Sequence, residues 1–158
     1  MALISQNDGN GRKDRAIKCY FSVLVLTLSF SLIGTLVIYT FSKPLIHIFA
    51  IGRNGYDIEF ESLIYDVFKY DLFSCIPLAF NISASSLIIG SGRTKIAFLV
   101  SFCRVYLFRI PLLKYLLSYT TLGNISIGIV MIVSNTFTAV LSTAIAIYII
   151  LKERRKYE

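Results

Sequence analysis

The chain has 158 residues, 56% of them hydrophobic, and a formal net charge of +7. Its mean hydropathy is +0.71, and its apolar share exceeds the about 45–50% that is usual in a soluble domain. The excess lies in three runs that contain no charged residue, 19–41, 72–92 and 115–151. Because a helix of about 20 apolar residues crosses a bilayer, this composition excludes an ordinary soluble domain and predicts an all-α integral membrane protein.

The sequence offers little for covalent or metal chemistry. It has no paired His and Asp, no Gly-rich phosphate loop and no Cys and His cluster at metal-ligand spacing. Cys19, Cys75 and Cys103 are odd in number and scattered along apolar segments, where a thiol behaves as a small core residue. We therefore predict that the protein is not an enzyme and that it uses no metal or other cofactor.

The first predicted transmembrane helix covers 16–41 and follows a polar N-terminal segment, 1–15. This apolar run is too long for the hydrophobic region of a secretion signal. Pro44 comes next, and because it lacks an amide hydrogen it ends or kinks a helix. Residues 42–71 are predicted to form an extracytoplasmic loop.

Two elements are predicted within this loop. Residues 45–51 are typical of an interfacial segment, and Gly52-Arg53-Asn54-Gly55 forms a turn cluster after it. Residues 56–71 carry apolar side chains at helical spacing with charges between them, which predicts an amphipathic helix. Asp57 can cap the start of this helix. We expect it to continue without a break into the second transmembrane helix, 72–92.

The rest of the chain predicts two further transmembrane helices. Pro77 predicts a kink in the second helix, which a bundle tolerates when neighbouring groups satisfy the freed carbonyl. A tight basic turn then leads into the third helix, 95–119. The fourth helix covers 125–151, after a turn at 120–124, and a basic tail, 152–158, follows it.

Basic residues are distributed unevenly between the two sides of this topology. The side that would hold both termini and the middle turn carries most of them, whereas the other side carries Lys43, Arg53 and Lys69. The positive-inside rule therefore predicts that both termini are cytoplasmic, in a multi-pass protein of the cell inner membrane. We expect the positive charge to attract the anionic lipid of the inner leaflet, and we expect no nucleic-acid partner.

Polar side chains inside the spans should face other helices or water, because lipid cannot satisfy them. Asn81 and Ser85 lie on one stripe of the second helix, together with Ser74 and Gly92. Asn135 belongs to a stripe of the fourth helix that also contains Ser134, Thr138 and Ser142. Two interpretations stay open: these residues pack the helices closely, or Asn81, Ser85 and Asn135 line a solute pathway.

The third helix carries Arg104, Arg109 and Lys114, each five residues from the next. Five residues of an α-helix turn by about 140°, which predicts three separate environments. Lys114 can extend to the outer interface. Arg104 is deepest, where a charge costs about 2.5–3.5 kcal/mol on insertion scales. We expect Arg104 to face protein or a water-filled cavity, and Arg104 and Arg109 are candidates for a substrate or ion pathway.

Four segments, in order, resemble stretches of the multidrug and toxic compound extrusion (MATE) transporters. Residues 2–16 resemble the family's Gln-Asn-x-Gly-Ala-Gly-Asn…Arg-Ala stretch, and Ile89-Gly90-Ser91-Gly92-Arg93-Thr94-Lys95 is similar to its Arg-Gly-x-Gly-Asp-Thr-Lys turn. Arg109-Ile110-Pro111-Leu112 is like its Arg-Ile-Pro-Leu, and 122–129 lies where the family has Gly-x-x-Gly-Val-Trp. The chain thus resembles the last four of the family's twelve spans, in the C-terminal lobe.

This resemblance implies export of organic cations or drugs by antiport with Na⁺ or H⁺, through alternating access between two six-helix lobes. It implies as partners the upstream transporter helices, without which we expect no transport, and an organic cation once the assembly is complete. Since Met1 stands inside a family motif, we expect a fragment or part of a split protein. One branch of the family has an acidic residue inside the membrane at the position of Leu78. The resemblance therefore provides no coupling-ion ligand in this chain.

Two other functions stay open at this stage. The chain could act as a stand-alone accessory or assembly subunit with four helices. It could also belong to a lipid-linked sugar flippase, a related fold in which cationic side chains often line the cavity.

Overall fold

The computed structural model describes residues 2–52, 55–56, 58–120, 123 and 125–154. The first half contains α1 (Ala2–Gly9), α2 (Lys13–Thr40), α3 (Ser42–Ala50) and α4 (Ile58–Gly90). The second half contains α5 (Thr94–Phe102), a π segment (Cys103–Arg109), α6 (Ile110–Tyr119) and α7 (Ile125–Arg154). Two strands of two residues each, β1 (Ile51–Gly52) and β2 (Gly55–Tyr56), pair antiparallel before α4.

Four stretches are long and apolar enough to cross a membrane: Asp14–Thr40, Phe60–Gly90, Thr94–Tyr119 and Ile125–Lys152. They coincide with the four helices expected from the sequence, so the predicted all-α architecture with four candidate spans is confirmed. The third stretch consists of α5, the π segment and α6 in succession, and we call it the third span.

α4 and α7 form the centre of the bundle. In its most apolar 18 residues, α4 buries 50% of positions and α7 buries 44%, whereas α2 buries 0% and the third span 11%. α2 packs against α4, and the π segment packs against α7. The rest of the chain therefore leaves most of the apolar surface of α2 and of the third span uncovered.

Small residues at every fourth position let α4 and α7 approach closely. Residues four apart share a helix face. On α7 the buried residues of one such face are Ser126, Val130, Ser134, Thr138, Ser142 and Ala146. Side chains of this size allow helix backbones in a membrane to come together and to gain van der Waals contact.

The N-terminal segment contains a helix that the sequence analysis did not predict. Ile4 of α1 is only 1% exposed and packs in a core cluster with Tyr20, Leu87 and Ala146. This contact ties α1 to α2, α4 and α7, so the segment before the first span is part of the folded body. Pro44 lies in the first turn of α3, where a helix does not need its missing amide.

α4 is the long helix that the amphipathic pattern predicts, since it runs from Ile58 through Pro77 to Gly90 without interruption. The predicted cap Asp57 and the turn residues Arg53 and Asn54 lie outside the described residues, as do most of the 120–124 turn and residues 155–158 of the tail.

The structure corrects the position expected for Gly92. This glycine lies beyond the end of α4, is exposed and has φ +73°, so it does not belong to the polar stripe of that helix. Its amide donates to Ile89 O at 3.0 Å, and the amide of Arg93 donates to Ile88 O at 3.1 Å. This pair of bonds is a Schellman motif, which ends a helix with a glycine in the left-handed conformation.

Candidate functional site

The described part of the chain contains one polar hydrogen bond between side chains of α4 and α7. Asn135 Nδ2 donates to Ser74 Oγ at 3.2 Å. The Ser74 hydroxyl in turn lies 2.8 Å from Asp71 O and 3.1 Å from Asp71 Oδ1. Asn135 and Ser74 are 4% and 2% exposed, and Asn135 Oδ1 is buried without a hydrogen-bond partner among the described residues.

Asn81 and Ser85 interact with each other and not with Asn135. The Ser85 hydroxyl donates to Asn81 Oδ1 at 3.5 Å within α4. Asn81 is buried, and Ser85 is half-buried. The structure therefore brings the three candidate residues to the same pair of helices but does not join them into one site.

Most other buried hydroxyls of this interface bond to the backbone of their own helix, whereas Ser126 Oγ has no partner among the described residues. Ser83 donates to Phe80 O, Thr138 to Ser134 O and Ser142 to Ala139 O. Such bonds satisfy a hydroxyl locally and leave its small side chain free to pack. The arrangement favours the close-packing interpretation for the two polar stripes.

A hydroxyl of α2 bonds to the backbone of α4 near Pro77. The Ser31 hydroxyl donates to Cys75 O at 3.0 Å. The amide that Pro77 lacks would pair with the carbonyl of Phe73, four residues earlier. The Ser31 bond reaches a different carbonyl of that turn and links α2 to α4. The sequence offered no signal for this contact beyond the presence of a serine in an apolar helix.

The third span contains a π segment where the two arginines lie. The amide of Ile110 donates to Val105 O, five residues earlier, which is the bonding pattern of a π-helix. Because a π-helix has more residues in each turn than an α-helix, Arg104 and Arg109 lie on the same side of the span. The expectation that they diverge by about 140° was derived from α-helix geometry and does not hold here. Lys114 lies in α6 and is exposed.

Both arginines are partly buried, and the Nε atom of each is buried without a hydrogen-bond partner among the described residues. Between them Phe108 stacks on Phe137 of α7, with the ring centroids 5.2 Å apart and the planes at 7°. This contact holds the π segment against α7. Sequence reasoning missed the π segment because it treated the third span as one continuous α-helix.

Two open grooves flank the central pair. One of about 570 Å³ is almost wholly apolar and lies around Pro77, Phe80, Val140 and Ile147. The other, of about 340 Å³, is lined at the start of α4 and α7 by apolar residues and one carboxylate: Phe60, Leu63, Ile64, Val67, Phe68, Asp71 and Ile127. We call the second groove the Asp71 groove.

The thiols and acids of the described residues form no metal site. Cys19, Cys75 and Cys103 are free. Within the described ranges, no three His, Cys, Asp or Glu side chains come together in a group that could hold a metal ion.

These helices and their polar packing define the class of protein: a multi-pass helical membrane protein. The sequence model of the MatE family matches residues 1–114. The chain belongs to the MATE family, as its motifs indicated. No curated protein matches the sequence.

Among solved structures, the chain is similar to one described as the outward-facing conformation of a multidrug resistance MATE family transporter of the MOP superfamily. The TM-score is 0.86 at 13% sequence identity, and the match covers 96% of this chain and 33% of that one. At 13% sequence identity this structural similarity establishes the fold alone. The chain spans about one third of the transporter that it matches.

Proposed function

We propose that this chain is one portion of a MATE-type secondary active transporter, which exports organic cations or drugs by antiport with Na⁺ or H⁺. The observation that carries the proposal is the match of 96% of the chain to one third of a transporter of that family. On this proposal the four helices transport nothing alone, and the remaining transporter helices are their partner.

The distribution of polar groups supports the need for further helices. Most polar groups at the α4–α7 contact are used in bonds within or between those two helices, although Ser126 Oγ and Asn135 Oδ1 have no partner among the described residues. The two grooves described above are open on one side. A transporter encloses its substrate between two lobes, so a closed pathway requires walls that come from outside this chain.

The Asp71 groove supports an organic cation as the substrate. It combines a carboxylate with the aromatic rings of Phe60 and Phe68. A carboxylate attracts a positive charge, and the face of an aromatic ring attracts it further. Residues 72–152, which include the third span, contain no Asp or Glu.

For location, we propose the cell inner membrane with both termini in the cytoplasm. The asymmetry of Lys and Arg between the two sides supports this orientation. The same basic residues would attract the anionic lipid of the inner leaflet. The family match does not favour the accessory-subunit or flippase interpretations.

The proposal is tested in proteoliposomes that carry an imposed Na⁺ or H⁺ gradient. Three preparations are compared: the chain alone, the chain together with the other two thirds of a MATE transporter, and those two thirds alone. We expect efflux of ethidium only where both parts are present. Efflux by the chain alone, at the rate of the complete assembly, would contradict the need for the missing helices.

A further inference from the structure

The arginines of the third span have no acidic counterpart in the neighbouring sequence. Residues 72–152 contain no Asp or Glu. Arg104 lies ten residues after Thr94, the first residue of the span, and Arg109 lies ten residues before Tyr119, the last. At the helical rise each arginine is about 15 Å from the nearer end, so both lie in the middle of the membrane.

The π segment makes these two arginines one feature. Its backbone bonds join residues five apart, as Ile110 and Val105 show, and this local unwinding brings Arg109 round to the same side of the span as Arg104. The Nε atom of each arginine is buried in the chain, whereas its terminal Nη atoms are accessible. No hydrogen bond or ion pair reaches either guanidinium from the described residues, so both half-buried arginines keep unpaired Nη groups on one side of the span.

Such a pair needs an anion. One charged side chain in the middle of a bilayer costs about 2.5–3.5 kcal/mol on insertion scales, and two like charges side by side add repulsion. Charged residues in a span accordingly pair with one another or face a polar interior. A carboxylate is the natural complement, because a guanidinium binds its two oxygens with two parallel hydrogen bonds.

We propose that Arg104 and Arg109 form a single intramembrane docking site for a carboxylate carried by another transmembrane helix of the assembly. The inference rests on the proposed function, since it takes the remaining transporter helices as the source of that carboxylate. The positive charge of the pair and its depth in the membrane favour a carboxylate on a transmembrane helix over a lipid phosphate. The headgroup phosphates of lipids lie at the bilayer surface, about 15 Å from the middle of a hydrocarbon core of about 30 Å.

The test measures how the full chain binds designed helices in phosphatidylcholine vesicles. The peptides are Leu-Ala transmembrane helices labelled with dansyl, with Glu, Gln or Lys at the central position. The chain has no tryptophan, so Phe98→Trp provides a single donor for energy transfer, away from the arginines. The infrared carboxyl band of the Glu peptide reports whether its side chain is ionised when bound.

We expect the Glu peptide to bind about tenfold or more tightly than the Gln peptide, as a charge-assisted bidentate contact implies, and to bind as the carboxylate. R104Q and R109Q should each reduce this preference, and R104Q/R109Q should abolish it. K114Q is the matched control: it removes an exposed positive charge of the same span, and the preference should persist. Circular dichroism verifies that each variant remains helical.

Equal binding of the Glu and Gln peptides by the unmodified chain would overturn the proposal. A Glu preference that K114Q removes as fully as R104Q/R109Q would overturn it too, because the charge of the span alone would then explain binding. So would loss of the preference when phosphatidylglycerol replaces part of the phosphatidylcholine, since lipid phosphate would then occupy the pair. No transport is measured, so this result is independent of whether the assembled transporter works.

Discussion

Gly128 of α7 lies directly against Tyr70 of α4. A β carbon built on Gly128 would stand 2.6 Å from Cβ of Tyr70 and 3.1 Å from its Cγ. Because Cβ is attached to the backbone, Tyr70 cannot relieve this contact by changing its rotamer. The absence of a side chain at Gly128 therefore sets how closely the two central helices approach at this end of the bundle.

We predict that Gly128→Ala destabilises the bundle by about 1–3 kcal/mol, the usual cost of overpacking. The measurement is unfolding in mixed detergent micelles, followed by circular dichroism. Gly34→Ala is the control, because nothing lies within 4 Å of the β carbon that it would add in α2. That change should be neutral or stabilise by up to about 1 kcal/mol, since alanine favours a helix. Equal effects of the two substitutions would show that the approach to Tyr70 is not limiting.

A second prediction concerns the Asn135–Ser74 hydrogen bond. Double-mutant cycles on such bonds between membrane helices average about 0.6 kcal/mol and reach about 1.7 kcal/mol. We expect S74A and N135A to show a coupling within this range, because the 3.2 Å bond is buried. T136A is the matched control, since the Thr136 hydroxyl donates to Ile132 O of its own helix. A coupling of zero between Ser74 and Asn135 would mean that small-residue packing alone holds α4 to α7.

A third prediction tests the Asp71 groove as a cation site. In the assembled transporter, Asp71→Asn should raise the KM for a cationic dye about fivefold, as expected for loss of one partly exposed charge contact. Asp66→Asn is the control, because Asp66 lies on the same helix but lines a different groove, with Lys43 and Ile46. If both substitutions change KM equally, the general negative potential of this end, and not the groove, would be responsible.

A fourth prediction concerns orientation. In a variant whose three natural cysteines are replaced by serine or alanine, Thr94→Cys and Tyr119→Cys place single thiols at opposite ends of the third span. Both positions are exposed. A membrane-impermeant maleimide should label Tyr119→Cys from outside the cell and Thr94→Cys only after the membrane is opened. The reverse pattern would place the termini outside and contradict the positive-inside assignment.

Several features of the fold could be predicted because they depend on local sequence. Charge-free runs longer than a bilayer predicted the helices, since no other element in lipid satisfies its own backbone. The helical spacing of apolar residues before residue 72 predicted that α4 would begin outside the second span, and it begins at Ile58. The packing role of Ser134, Thr138 and Ser142 was one of two open interpretations, and their backbone bonds favour it.

Other features depended on geometry that a single α-helix pattern does not contain. Gly92 was assigned to the stripe of α4 because it stood at the right spacing, but the Schellman turn ends the helix first. The arginines were separated by assuming 3.6 residues in each turn, and the π segment changes that number locally. The helix at Ala2–Gly9 was missed because its sequence is mostly polar and only Ile4 joins the core.

The sequence by itself determined that this is a four-span helical membrane protein of the MATE family, because hydrophobic length, charge asymmetry and short motifs are properties of the linear chain. The tertiary structure decided which residues meet. It placed α4 and α7 at the centre through small residues, joined Asn135 to Ser74, and brought Arg104 and Arg109 to one side of the third span. These pairings depend on helix rotation and local helix type, since one residue more in a helix rotates the side chains that follow by about 100°.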